Sequence, residues 1–267
     1  LLAVLFFFAL WYYLNHRSLK RLLWCGLSLG LLLGAKFSAV FLLPVAFALL
    51  VWATHWIPAA VPMRPSTLVD PYASEDGGQR LAWCLYSFLA MCAVAALVIH
   101  ALYLFPRNPF LYVEGIRRIN ADHDPDYWAF MAGHFQPRFF TYCLVTYFLK
   151  EPLPAIVLAA VGTWALLRRG VAAAMDRAFL LLPPVFLFLA YSIYSDNLGF
   201  RYLIPALPFL HLVGGAGLAF LLKEGGVWRR VAALVLVAWM VVAGTAIYPD
   251  HLSYFNEMAC LLSEPGQ

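Results

Sequence analysis

Apolar residues run along this chain in long unbroken blocks rather than in strand-like alternation or one-sided stripes. Eight blocks stand out, at about 1 to 14, 22 to 35, 37 to 54, 81 to 105, 152 to 167, 178 to 194, 203 to 222 and 231 to 247, separated by charged or Pro/Gly-containing breaks. A helix rises about 1.5 Å per residue and needs about 20 apolar residues to cross the hydrocarbon core. The pattern therefore predicts an all-α fold, a polytopic transmembrane helical bundle of about 8 membrane segments.

The stretch 22 to 54 is long for one pass and short for two. A lysine at mid-bilayer costs about 2.5 to 3.5 kcal/mol on insertion scales, so Lys36 is read as a tip at the outer interface between two short helices. The alternative, one kinked helix, would move the first basic loop to the other side. Residues 55 to 80 are Pro-rich without helical periodicity and read as an irregular linker. The loop 106 to 151 carries two further elements. "NPFLYVEGIRRINAD" places Leu111, Ile116 and Ile119 at helical spacing beside Arg117 and Arg118, which predicts a short interfacial helix. "RFFTYCLVTYFLKEP" is aromatic, too short to span and stopped by Lys150 and Pro152, which predicts a second helix on or dipping into the interface.

Composition strengthens the membrane reading: 64% of the 267 residues are hydrophobic and 12% charged, with a mean hydropathy of +0.78, outside the range of soluble domains. The chain opens inside an apolar run without an initiator Met, so it is read as part of a longer protein and no signal peptide is argued. The five cysteines lie far apart and give neither a disulfide nor a metal framework. The net charge of +4 says nothing of nucleic acid, but its distribution is informative. Counted over alternating loops, eleven Lys and Arg fall on one side and seven on the other. The positive-inside rule assigns "NHRSLKR", "RRGVAAAMDR" and "KEGGVWRR" to the cytoplasm, which puts Lys36, Lys150 and Arg201 outside.

That outer face gathers Lys36, Arg107 to Arg138, Lys150, Asp196, Asn197 and Arg201, then "YPDHLSYFNE" with Asp250, His251, Asn256 and Glu257. Cations at the hydrocarbon boundary suit a lipid phosphate, held bidentately by guanidinium or as a point charge by ammonium. The competing reading is that they are anchors snorkelling to headgroups. Gly199 allows a tight turn that sets Arg201 at the outer edge of a helix starting at Leu203. "ADHDPD", with Asp122, Asp124, Asp126 and His123, lacks the glycine and distal glutamate of a calcium loop and reads as a solvated turn. His100 and His211 lie in apolar runs, where a hydrogen-bonded structural histidine is the favoured reading over a ligand or relay. The chain has no P-loop, GxSxG, HExxH or paired CxxC.

Three stretches in order, "GLSLGLLLGAKFSAVFLLP", "FFTYCLVTYFLKEPLPAIVL" and "NLGFRYLIPALPFLHLVGG" followed by "YPDHLSYFNE", resemble the membrane core of the dolichyl-phosphate-mannose-protein mannosyltransferase-like family of GT-C glycosyltransferases. Lys150-Glu151-Pro152 stands where that family usually has Lys-Thr-Pro. The resemblance implies an inverting sugar transfer on the extracytoplasmic face, from a polyprenyl-phosphate-linked donor to a hydroxyl of a protein, lipid or glycan. It implies donor-phosphate binding by Arg201, Lys150 and Lys36, with Tyr202, Asn197, Arg138, Asn256 and Glu257 toward the substrate. The general base of this family lies in the first outer loop, hence ahead of Leu1, and neither Asp122 nor Glu257 is assigned that role. No cofactor is required, no metal ligands are assigned, and a role for a divalent metal is left open.

The GT-C-like core covers 1 to 257, including the extracytoplasmic loop 106 to 151, and 258 to 267 begins a further extracytoplasmic segment. The setting implied is a multi-pass protein of a bacterial inner membrane, its partners the bilayer, the donor and the acceptor. The rival function is a membrane transporter or lipid flippase, which would need inverted repeats and charges at the midplane; a purely structural membrane subunit is the third class.

Overall fold

The computed structural model describes residues 1–56, 77–121, 128–131, 133–170, 173–194, 199–223, 226–250 and 253–262. In chain order these form α1 (Leu2–Asn15), α2 (Leu19–Ala35), the 3-10 segment η1 (Phe37–Phe41), α3 (Leu42–Trp56), α4 (Gly77–Leu102) and α5 (Leu111–Ala121). A hairpin of β1 (Ala129–Met131) and β2 (His134–Gln136) follows, then α6 (Tyr142–Lys150), α7 (Leu153–Arg168), α8 (Ala174–Tyr194), the 3-10 turn η2 (Phe200–Tyr202), α9 (Leu207–Lys223), α10 (Val227–Ala246) and α11 (Glu257–Leu262). The fold is all-α apart from that two-stranded hairpin, which pairs Ala129 with Gln136 around Gly133.

Each of the eight apolar blocks is helical, but not all are long enough to be spans. Among the described residues four helices have the length and apolarity to cross a membrane: Phe37–Trp56, Gly77–Leu102, Ala174–Tyr194 and Val227–Ala246. A fifth is possible if α6 and α7, bent by 114°, count as one. α1 and α9 are apolar but shorter, at 14 and 17 residues. These helices are compatible with a membrane protein. The helix expected from Leu203 begins instead at Leu207, because Pro205 has no N–H for a continuing helix and Pro208 suits a first turn. The break expected at Lys36 is present: its backbone is extended (φ −155°, ψ 122°) between α2 and η1. The interfacial position expected for α5 and α6 is a matter for the functional reading, but both form as helices. Of the 55 to 80 linker, only its two ends lie within the described residues.

The chain divides into two compact units: Leu1–Asp124 with Ala172–Pro183, and Pro125–Val171 with Pro184–Gln267. One of the boundaries between them falls at the Pro183–Pro184 pair within α8.

In the first unit α2 and α4 run parallel, with Gly26, Gly30 and Gly34 against Val94, Val98 and Leu102. A Cβ built at Gly26 or Gly30 would lie 2.5 Å from a valine Cβ, so the backbones meet more closely than any side chain would allow. Without a hydrophobic drive in lipid, such small-residue contacts supply helix association. At one end of this unit the Tyr13 hydroxyl meets Ser87 at 3.2 Å and its ring stacks on Trp83, the Arg17 guanidinium lies 4.5 Å from the Trp83 ring centre, and Trp11 donates to Asp176 at 2.9 Å. The basic residues Arg17, Lys20, Arg21 and Arg177 thus share the end where α1 finishes and α8 begins. At the other end Phe37 fits against Gly115 of α5, and the Tyr112 hydroxyl donates to the Leu33 carbonyl at 3.1 Å. Burial, with Tyr103 nearby, pushes the Tyr112 phenol up to about 12, so it stays a donor.

In the second unit α7 and α9 are also parallel, and Gly162 and Gly217 let their backbones touch: a Cβ at Gly162 would collide with the Val213 carbonyl, and one at Gly217 with that of Leu158. α10 buries only Ala233 among its described positions and turns Val231, Leu234, Val235, Val241 and Val242 outward, an exposed apolar surface suited to lipid.

Gly162→Ala is expected to destabilise the protein by about 1–3 kcal/mol, through overpacking. Gly215→Ala, on the partner helix α9 with open space at its Cβ, should be neutral or gain up to about 1 kcal/mol from helix propensity. Denaturation in detergent micelles measures both, and equal effects would contradict the crossing.

Candidate functional site

The polar groups of the second unit collect where α6 meets α7, and proline is the cause. Pro152 lacks an N–H and pushes the preceding residue out of the helical region, so Glu151 is extended (φ −89°, ψ 138°) and α6 stops at Lys150. Pro152 caps the next helix, and Pro154 fits its first turn. The outcome is the 114° bend.

Such a bend strands carbonyl oxygens at the end of α6, and unpaired carbonyls in apolar surroundings are expensive. Asn256 takes them up. Its Nδ2 donates to the carbonyls of Phe148 at 2.5 Å and Glu151 at 2.7 Å, and its backbone N–H donates to Leu149 at 2.9 Å. Its Oδ1 accepts from Met258 N–H at 3.0 Å and so starts α11. With 2% of its surface exposed, Asn256 is a clamp committed to the chain's own backbone.

The Glu151 side chain is 7% exposed, and its Oε1 accepts from Nε2 of His211, 2.5 Å away on α9. The imidazole is 55% exposed, so this pair connects a buried carboxylate to the surface. The Tyr254 hydroxyl is buried close by, with no hydrogen-bond partner among the described residues. Burial first, then the Glu257 and Glu151 carboxylates, push the Tyr254 phenol above its usual range and keep it protonated. Lys150 places its ammonium 3.8 Å from the centre of the Phe255 ring, a cation–π contact that fixes the charge at the corner.

The turn η2 packs against α6, and the Tyr142 phenol is hydrogen-bonded with the Gly199 backbone. Gly199 holds φ 111°, a conformation that other residues adopt only with strain. Arg201 is exposed, its guanidinium 5.3 Å from the Tyr202 ring centre, and Tyr202 in turn faces Tyr191 at 5.7 Å. Buried Leu203 and Ala206 anchor the turn. Lys150 and Arg201 thus belong to one short helix and the turn against it. Arg138 is half-buried between β2 and α6. Glu257 accepts from the Trp239 indole at 2.9 Å. Lys36 belongs to the first unit, half-buried at the end of α2. Asn197, Asp196, His251 and the Asp122–Asp126 turn lie outside the described residues. Among the described residues no three His, Cys, Asp or Glu side chains come together as a metal site.

Sequence reasoning treated Glu151, His211 and Asn256 separately. A signal existed: a carboxylate at the edge of an apolar run needs a partner, and His211 is an ionisable group inside the apolar run that packs beside it. Comparison of the chain with protein-family models, curated proteins and solved structures finds no match.

Asn256→Ala leaves the Phe148 and Glu151 carbonyls without this donor. A loss of about 1–3 kcal/mol is expected, measured by denaturation in micelles; a change within about 0.5 kcal/mol would show that the bend holds itself.

Proposed function

We propose that this chain is the phosphate-gripping membrane core of a glycosyltransferase. In this reading it moves a sugar from a polyprenyl-phosphate donor to a hydroxyl of a protein, lipid or glycan, with inversion, on the extracytoplasmic face of a bacterial inner membrane. The observation that carries it is that Lys150 lies on α6 and Arg201 on the turn packed against α6, each cation with an aromatic ring against it. The leaving group is a phosphate whose growing negative charge is stabilised most by cations already oriented before reaction. An aromatic ring under each cation limits its reorientation and leaves its N–H groups for phosphate oxygens. The resemblance of the three sequence stretches supplies the sugar-transfer chemistry, adds Lys36 as a third donor-phosphate candidate, and assigns the base to a carboxylate ahead of Leu1. The reading requires no cofactor. It takes all eight apolar helices as membrane segments, with α5 and α6 lying at the outer interface.

A second reading, a transporter or flippase, is favoured by one specific observation: a buried carboxylate paired with a histidine beside a broken helix pair, the groups that proton-coupled carriers use.

In the full-length protein reconstituted in liposomes, Arg201→Ala and Lys150→Ala should each reduce transfer from a labelled polyprenyl-phosphate sugar by on the order of 100-fold or more, with insertion and Tm retained. Unchanged turnover in both variants removes the assignment. No transfer by the wild type, together with proton-coupled movement of solute or lipid that Glu151→Gln abolishes, establishes the second reading instead.

A further inference from the structure

In the first unit the last turns of α4 and the start of α5 enclose a cavity of about 260 Å³. Its walls are mostly apolar: Ala96 and Ile99 of α4, Pro106 and Pro109 of the connection, Leu111 and Val113 of α5. Asn108, Tyr112, His100 and Tyr103 also line it, and the fold uses the first two. Asn108 donates to Glu114 at 2.8 Å and accepts from the Phe110 N–H at 2.9 Å, and Tyr112 donates to the Leu33 carbonyl. The side chains of His100 and Tyr103 make no hydrogen bond among the described residues. Nor, among those residues, does any Lys, Arg, Asp or Glu line the cavity.

The turn beside the cavity is strained. Leu104 and Phe105 both hold left-handed backbone, at φ 58° and 52°, where a helix end ordinarily uses glycine. In return the Phe105 N–H reaches the His100 carbonyl at 2.9 Å, and its ring meets the imidazole edge-on at 5.6 Å. A glycine would relieve the strain and lose the ring that holds His100; strain of this kind collects at ligand clamps.

His100 and Tyr103 are neighbours on one face of α4. A neutral imidazole has one nitrogen that accepts and one that donates, and a phenol does both through one oxygen. In an uncharged apolar cavity the pair matches a single hydroxyl, which donates to one and accepts from the other. A phosphate would meet no cation there, and a sugar would bring more hydroxyls than the walls can satisfy. Helical spacing puts Leu85, Leu89, Cys92 and Ala96 on the same face as His100 and Tyr103. Leu85 and Leu89 are exposed, so an apolar surface runs from the cavity down a helix with the length and apolarity to cross a membrane. The cavity is at the small end for ligand pockets and suits a headgroup rather than a whole lipid, which leaves that leucine surface for the chains.

We propose that this cavity binds the hydroxyl end of a neutral lipid of the diacylglycerol type, held by His100 and Tyr103 with its chains along Leu89 and Leu85. The site belongs to the first unit and does not depend on sugar transfer.

The test is native mass spectrometry of the purified full chain in neutral detergent, with dioleoylglycerol, its acetate ester or dioleoylphosphatidylcholine added. Dioleoylglycerol should bind in preference to both, since the ester has the same chains without the hydroxyl. His100→Phe with Tyr103→Phe should reduce its binding by on the order of tenfold or more, the worth of two hydrogen bonds. Tyr86→Phe, the same change at an exposed position of α4, should leave binding unchanged, and His100→Gln, which keeps a donor and an acceptor, should preserve it. If the double variant does not fold, Tyr103→Phe alone should still reduce binding about fivefold. Equal binding of dioleoylglycerol and its ester, preference for the phospholipid, or full retention in a folded double variant would each overturn the proposal.

Discussion

Carbonyl oxygens released by a broken helix in apolar surroundings must find donors, and the second unit is organised around that requirement. Pro152 makes the break, and Asn256 supplies three N–H bonds, two from its side chain and one from its backbone, to the α6 end. Those bonds pair the Phe148, Leu149 and Glu151 carbonyls where α6 leaves the α7 axis at 114°. The direction of α6 fixes Lys150 against Phe255 and gives η2, with Arg201, a helix to pack on. The Glu151–His211 pair adds a tie from the same corner to α9.

The second constraint is steric. Gly162 and Gly217 bring α7 and α9 into backbone contact, and that parallel approach is what puts His211 within reach of Glu151. The same approach brings Trp164 to Phe220 and assembles, at the opposite helix ends, a cavity lined by the four cations Arg168, Arg169, Lys223 and Arg229. A helix the length of α7 extends about 24 Å, so a single crossing fixes two polar sites at opposite ends of one apolar layer. The first unit repeats the device with the Gly26, Gly30 and Gly34 face of α2 on α4.

Much of this is legible in the sequence where a block pattern or a proline sets local structure. The eight apolar blocks, the break at Lys36, the short helices α5 and α6 and the stop at Lys150 all follow from hydropathy, charge and Pro152. The start of α9 was misread because Leu203 is apolar and only Pro205 and Pro208 mark the turn before it. The hairpin was missed because "AFMAGHFQ" is too short for alternation to register, and Gly133 (φ 81°) is its one turn signal. The α2 glycines stand at a spacing of four, a readable signal for close helix approach, but their partners on α4 cannot be read from it. Asn256 was legible as polar and not as a clamp, since it bonds residues 105 and 108 positions away. Arg201 and Lys150 were singled out by side and neighbourhood; their association with α6 needed the fold.

The central claim is that the bend and the four-cation cavity occupy opposite faces of the membrane, with the bend outside. Single cysteines at positions 150 and 168, in a background without the five native cysteines, can be probed with a membrane-impermeant maleimide on intact cells. The account predicts that Lys150→Cys is labelled directly and Arg168→Cys only after the membrane is opened. Labelling of both from the same side, or the reverse order, would contradict it.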